Sequence, residues 1–384
     1  MRVTRSARTL LIALVVTTAL LVGGTVMALS VGSGRDTAAF DNSAGRPPSD
    51  PANSLAYGAF GDPGDPTHWT PERMSQARAR DPQVVESPGA PGPLPSTPPR
   101  SPGATPSPGG SDGPAGPLAP LPDAVAEAKP PVVNATPVAR PYDTDAVTGK
   151  LFFDTPDGPS VCTGTVVADP RNPGRSNLVW TAGHCLHGGR GGGWFKNVQF
   201  VPAFNSGGHA TLANLKDPGP VSPFGLWWAV DAATSQKWKD GGTGGASPAS
   251  AFDYGVVRVR NPNGSPRSLE EVVGRAIPLW FDAPRELPQV WVYGYPQDAP
   301  FNGLTMFRCE QDPRRMTVDP NAPPLVRIGC TMTGGASGGA WYAKSPDGRF
   351  KLIANSALGG ADHSWLAGPY LSADARAVLD TVKR

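Results

Sequence analysis

The sequence predicts an all-β domain, a barrel or a sandwich, running from about residue 132 to the C-terminus. Three observations predict it. Short runs of β-prone residues recur along this stretch, each bounded by Gly, Pro, Asn or Asp. Nine of the ten tryptophans and all four cysteines fall in the same stretch. The block before it, residues 32–131, holds 22 of the 46 prolines, one tryptophan and no cysteine, so the material for a core lies where the β runs lie.

The runs follow one another as Lys150–Phe153, Ser160–Val167, Asn177–Thr181, Asn197–Val201, Asp253–Val259, Gln289–Tyr293, Leu325–Ile328, Gly339–Ala343 and Phe350–Asn355. Val, Ile, Phe, Tyr, Trp and Thr recur in them, and such side chains suit a pleated, half-buried surface. The stretch 207–250, rich in Gly, Pro and Trp, reads as an insert that shapes access to a site or lies on the surface. Ser372–Lys383 closes the chain as an amphipathic helix, with Ala375, Val378, Leu379 and Val382 at helical spacing. Roughly 250 residues are ample for a large core.

Ahead of the domain, Ser87–Pro122 is little more than Pro, Gly, Ser and Ala. Such a chain cannot bury enough apolar surface to offset its ordering entropy, so residues 32–131 read as a disordered linker or pro-segment. One island interrupts it. Trp69–Arg78 reads as a short helix, with Thr70 as N-cap, Pro71 in the first turn, and Trp69, Met74 and Ala77 on one side. It is either a pro-segment that packs on the domain or a solvated turn without a role.

Residues 1–31 begin with Arg2, Arg5 and Arg8 and are apolar from Leu10 to Val31, with no acidic residue before Asp36. This is an export signal, cleaved after Ala28, or a membrane anchor with the rest of the chain outside the cytoplasm. An even number of cysteines in an exported chain implies two disulfides. Three pairings are open, and Cys162–Cys185 with Cys309–Cys330 is the expected one, because each closes a short loop within its own half of the domain. No Cys-x-x-Cys pair exists, so no metal site is expected. The net charge of +2, with 17% charged residues and no basic block beyond the N-terminal arginines, argues against nucleic acid as a partner.

Three local contexts carry chemistry. His184 stands in Thr181-Ala182-Gly183-His184-Cys185 after an apolar run, Asp253 opens the run Phe252–Val257, and Ser337 lies within Gly334-Gly335-Ala336-Ser337-Gly338-Gly339. A serine hydroxyl is a poor nucleophile unless a base lies within hydrogen-bond reach and an orienter holds that base. His184 is the candidate base, Asp253 the orienter and Ser337 the nucleophile. The glycines let the Gly335 and Ser337 amides converge on a developing oxyanion. Each residue alone is weak evidence, since glycine-rich turns and aspartates before strands are common. Their order and contexts together are strong.

With these residues in place, the chain resembles the chymotrypsin-like serine peptidases, in particular the secreted bacterial branch related to glutamyl endopeptidases. Val161–Val167, Val179–Cys185, Phe252–Val257, Gly294-Tyr295-Pro296 and Cys330–Trp341 carry the resemblance. It implies two six-stranded antiparallel β-barrels with His184, Asp253 and Ser337 in the cleft between them, a polypeptide substrate, no cofactor and a monomeric enzyme. The sequence departs from the animal digestive enzymes at Ala336, where those have an aspartate that pairs with a newly cut N-terminus. Activation by that ion pair is excluded. Thr331 stands where trypsin-type enzymes carry an aspartate, and Leu352–Leu358 lacks the histidine of the glutamyl endopeptidases. Met332, Thr333, Asn355 and Ser356 are therefore expected to wall a neutral pocket.

Two other readings compete. A peptidase-like domain could bind peptides without cutting them. An α/β-hydrolase esterase also satisfies Gly335-Ala336-Ser337-Gly338-Gly339, but that fold needs Asp and then His after the serine, and only His363 follows.

Overall fold

The computed structural model describes residues 65, 67–84, 128–142, 145–261 and 263–382. The expected export segment at 1–31 lies outside them. Among the described residues no helix is long and apolar enough to cross a membrane.

The described chain begins with α1 (Pro71–Gln76), β1 (Arg78–Ala79) and β2 (Gln83–Val84), and β3 (Thr136–Pro137) leads into the domain. Six strands then form the first half: β4 (Thr148–Thr155), β5 (Gly158–Val167), β6 (Leu178–Thr181), β7 (Lys196–Pro202), β8 (Trp227–Thr234) and β9 (Gly255–Arg260). They pair in the order β5-β4-β7-β8-β9-β6, and β6 pairs back onto β5, so the sheet closes into a barrel. β6 covers β5 only from Thr165 to Val167, so the Ser160–Val161 edge of β5 stays open to another strand, and β1 occupies it. Registers such as Leu151↔Cys162 and Trp180↔Val256 fix which residues share a rung.

Strand β8 is the one of these six that the sequence pattern missed. Trp-Trp-Ala-Val-Asp-Ala-Ala-Thr contains three alanines and an aspartate, all weak strand formers. Pairing with β7 and β9 decides its conformation, and Asp231 follows a register shift where its carboxylate meets Arg258 Nη2 at 3.4 Å. The stretch 207–250 thus contributes a barrel strand rather than only a loop.

The second half holds β10 (Val290–Gly294), β11 (Phe307–Gln311), β12 (Arg314–Met316), β13 (Leu325–Gly329), β14 (Ala340–Lys344), β15 (Phe350–Asn355), β16 (Leu358–Gly360) and β17 (Trp365–Pro369). Their ladders make two five-stranded sheets, β15-β14-β10-β11-β3 and β12-β13-β17-β16-β2. The bridge Ala354↔Tyr370 links them, and no ladder among the described residues closes them into a second ring. Val290, Val292, Val326, Ile328, Trp341 and Ile353 form the core of this half. Helix α2 (Ala373–Val382) buries Ala375, Val378, Leu379 and Val382, the four residues at helical spacing, and packs across β8 and β9 of the first half. One disulfide joins Cys162 to Cys185 in the first half, and another joins Cys309 to Cys330 in the second.

Candidate active site

His184 sits in a 3-10 turn, Gly183–Cys185, where β6 ends. Asp253 follows a second 3-10 turn, Pro248–Phe252, just before β9. β6 and β9 are neighbours in the barrel, so the two turns meet. Asp253 is fully buried and His184 is 2% exposed. Asp253 Oδ1 accepts the His184 backbone amide at 2.8 Å, and Oδ2 lies 2.7 Å from Nδ1 of the same residue. One carboxylate thus fixes both the backbone and the ring, and both its buried oxygens have hydrogen-bond partners. The approach is close enough to demand glycine at 183, since a Cβ there would stand 2.5 Å from Thr234 Oγ1 and 3.0 Å from Asp253 Oδ1.

Ser337 lies in the turn between β13 and β14, and the first barrel holds this turn through Thr163 of β5. Thr163 N donates to Ser337 O at 2.7 Å, Thr163 Oγ1 donates to Gly335 O at 2.8 Å, and Tyr295 N donates to the same Oγ1 at 3.0 Å. Gly338 adopts φ +79°, and a side chain there would collide with Thr181 Oγ1 and Thr163 O. The Cys162–Cys185 disulfide ties the neighbour of Thr163 to the neighbour of His184. The amides of Ala336 and Gly338 are spent on Thr333 O and Ser356 O. Among the described residues none accepts from the Gly335 or Ser337 amide. Two unspent donors beside a serine can receive a developing negative oxygen.

Thr163 gave no sign of this role in the sequence; it is one polar residue in a strand. Replacing it with isosteric valine strands a buried carbonyl and a buried amide. Thr163→Val is expected to cost about 1–3 kcal/mol of stability in denaturant melts.

The four expected pocket residues all lie beneath the surface: Met332 1%, Thr333 1%, Asn355 0% and Ser356 2% exposed. Their polar atoms already have protein partners. Asn355 Nδ2 donates to Asp253 O at 3.0 Å and its Oδ1 accepts Trp180 Nε1 at 3.1 Å. Thr333 Oγ1 donates to Asp298 O at 2.8 Å, and Ser356 Oγ accepts Trp341 Nε1 at 3.0 Å. Asn355 therefore braces the Asp253 turn from behind. Cys162, His184 and Cys185 cluster closely, but the two sulfurs are bonded to each other and offer no thiolate to a metal.

The N-terminal segment lies across this site. Thr70 Oγ1 caps α1 by accepting Arg73 N at 3.2 Å, and Trp69 is fully buried against Phe152 with its indole N–H on Asn197 O at 2.7 Å. The chain then passes between the halves of the domain. Arg80 O faces His184 Nε2 at 3.2 Å, and Ser337 Oγ donates to Asp81 Oδ1 at 2.9 Å. Beside them remains a cleft of about 270 Å³, lined by Arg80, Asp81, His184, Gly188, Trp238 and Thr243. Burial raises the Asp81 carboxyl to about 6, and the nearby Asp298 adds to the rise; His184, the Ser337 hydrogen bond and His363 oppose it. No sequence signal pointed to Arg80 or Asp81.

Among solved structures, the chain is similar to a thermostable serine protease, AL20, from an extremophilic microorganism, with 30% identity and a TM-score of 0.51 over 63% of this chain and 98% of that one. It is also similar to protease Anisep from Arthrobacter nicotinovorans, with 27% identity and a TM-score of 0.49 over 66% and 97% of the two chains. A third similar structure is a Glu endopeptidase, at 17% identity and a TM-score of 0.45 over 67% and 99%. No protein-family model and no curated protein matches the sequence. The closed first barrel and the likeness to the first of these structures give the chain a serine-protease fold of the chymotrypsin-like kind.

Proposed function

We propose that the protein is an exported serine endopeptidase in which Ser337 is the nucleophile, His184 the general base and Asp253 the orienting acid. The observation that carries this reading is the double grip of Asp253 on His184, with the adjacent residues Arg80 and Asp81 touching His184 and Ser337 in turn. Once that segment is out of the way, Ser337 Oγ attacks the substrate carbonyl while His184 Nε2 takes its proton. The carbonyl oxygen becomes an oxyanion received by the Gly335 and Ser337 amides. His184 passes the proton to the leaving amine, and water repeats the sequence on the acyl-enzyme. Asp253 holds the Nδ1 proton and stabilises the imidazolium throughout.

We read the two C-terminal sheets as the counterpart of a second barrel and residues 132–384 as the peptidase domain. Residues 1–31 act as export signal or anchor, and the two disulfides suit the oxidising compartment that export implies. The substrate is a polypeptide and the enzyme works as a monomer. With Thr331 bonded to Ala135 N and no acidic or basic group among Met332, Thr333, Asn355 and Ser356, the preferred side chain is uncharged.

The test is a diverse peptide mixture incubated with the full chain and with the chain from Val132, cleavage sites being read by mass spectrometry against Ser337→Ala. Cleavage that depends on Ser337 and follows uncharged residues is expected. Tight peptide binding without turnover in either form points instead to a non-cutting binding domain.

A further inference from the structure

We infer that residues Trp69–Val84 are an intramolecular inhibitor that disables both reacting groups of the cleft and must leave before a substrate enters. This rests on the peptidase reading above.

Three observations carry it. The first is position. β1 pairs with β5 through Arg78↔Ser160 and Ala79↔Val161, and β2 pairs with β16 through Gln83↔Gly359 and Val84↔Gly360. One short peptide thus spans from the first barrel to the second half, directly over the site. A substrate reaching His184 and Ser337 has to pass through the gap that this peptide crosses.

The second observation is the chemistry at the centre. Ser337 Oγ donates its proton to the Asp81 side chain rather than to His184. A carboxylate is a poor target for a nucleophile and carries no amine to expel. His184 Nε2 faces the Arg80 carbonyl, which can only accept. That contact is a hydrogen bond only when Nε2 carries a proton, and in that state it cannot take one from Ser337. The Arg80 carbonyl is therefore engaged by the histidine rather than by the Gly335 and Ser337 amides. The segment crosses the cleft without entering it as a substrate.

The third is anchorage. Trp69 is fully buried, and Met74 and Ala77 are 2% and 1% exposed. His68 Nε2 and Arg73 Nη2 meet the two oxygens of Asp154 at 2.8 and 2.6 Å, and Gln297 Nε2 donates to Ala77 O. None of these anchors lies at the reacting atoms, so they hold the segment down from a distance. Belonging to the same chain keeps its effective concentration at the cleft high.

The experiment measures labelling of Ser337 by a fluorophosphonate probe, and peptide hydrolysis, in the full chain and in full chains carrying Trp69→Ala or Arg73→Ala. Loss of the buried indole is expected to speed both readouts about a hundredfold. Loss of the Arg73 bond, at a part-exposed site where folding is not at risk, is expected to give about tenfold. A synthetic peptide of residues 65–84, added to the Trp69→Ala protein, is expected to slow labelling again. Equal labelling in all three chains, with peptide hydrolysis present, overturns the inhibitor and leaves the peptidase standing. Failure of Ser337 to label in any of the chains, each shown to be folded, overturns both.

Discussion

Asp253→Asn is expected to lower kcat by about 10⁴-fold while the protein stays folded, and Ser337→Ala to lower it further. The carboxylate does two things at once. It holds the His184 amide through Oδ1 and the ring Nδ1 through Oδ2. An asparagine can keep one of these bonds as an acceptor. Its amide nitrogen must then face either a backbone N–H or the ring. Facing the ring, it donates to Nδ1, which places the tautomeric proton on Nε2, where a base cannot carry it. The lost charge also removes the partner that stabilises the imidazolium at the transition state. The measurement is the initial rate on a cleaved peptide in the Trp69→Ala background, beside a thermal melt. A rate within tenfold of the parent, with an unchanged melt, would show that Asp253 does not orient the base.

The second large effect concerns stability. Lys150 is 3% exposed, and its Nζ donates to Gln297 Oε1 at 2.8 Å and Gly303 O at 3.1 Å. Neither acceptor is charged, and burial pushes the amine from 10.5 down to about 7. The folded state therefore binds this proton less readily than the unfolded state does. Stability falls as pH drops from 10.5 toward 7 and levels off below that. Each pH unit in this window is worth about 1.4 kcal/mol, so Lys150 changes the stability by up to about 4 kcal/mol between pH 7 and 10. Lys150→Met removes this dependence. Denaturant melts of both proteins at pH 7, 8, 9 and 10 are expected to show the parent gaining on the variant as pH rises. In that difference the other titrations cancel. A constant difference across the series would mean that Lys150 stays charged when buried. Gln297 also bonds Ala77 O, so the same melts report on a residue that touches the inhibitory segment.

Much of the fold was legible because its signals are local. Every β run read from the sequence became a strand, since dense Val, Phe and Trp between turn residues favours extended backbone wherever it is placed. The start of helix α1 was legible for the same reason, since Thr70 and Pro71 specify it without help from the rest of the chain, but the expected Trp69–Arg78 helix runs only over Pro71–Gln76 and Arg78 joins β1 instead. β8 was hidden because its alanines and Asp231 form a strand only when β7 and β9 flank them. In the second half β10, β13, β14 and β15 were legible as runs, but β11, β12, β16 and β17, and the division into two sheets, were not. Whether ladders close into a ring depends on registers between strands far apart in sequence.

The candidate site divides along the same line. His184, Asp253 and Ser337 stood out because each has a distinctive local setting. Thr163 did not, because its hydroxyl matters only through Gly335 and Tyr295, which approach it from the other half of the molecule. Asn355 was read as pocket wall, while its amide braces Asp253 and Trp180 from within.

Sequence alone therefore determined the β class of the domain, the start of α1, and the three side chains proposed for chemistry. Each follows from propensity, capping or residue type within a few neighbours. Tertiary structure alone decided what those side chains touch. Asp81 and Ser337 are 256 residues apart in the chain, and Arg80 and His184 are 104 apart. No local pattern encodes such a meeting. It arises because Trp69 finds a buried seat beside Phe152, and the peptide that follows lies wherever that anchor and the two strand edges direct it.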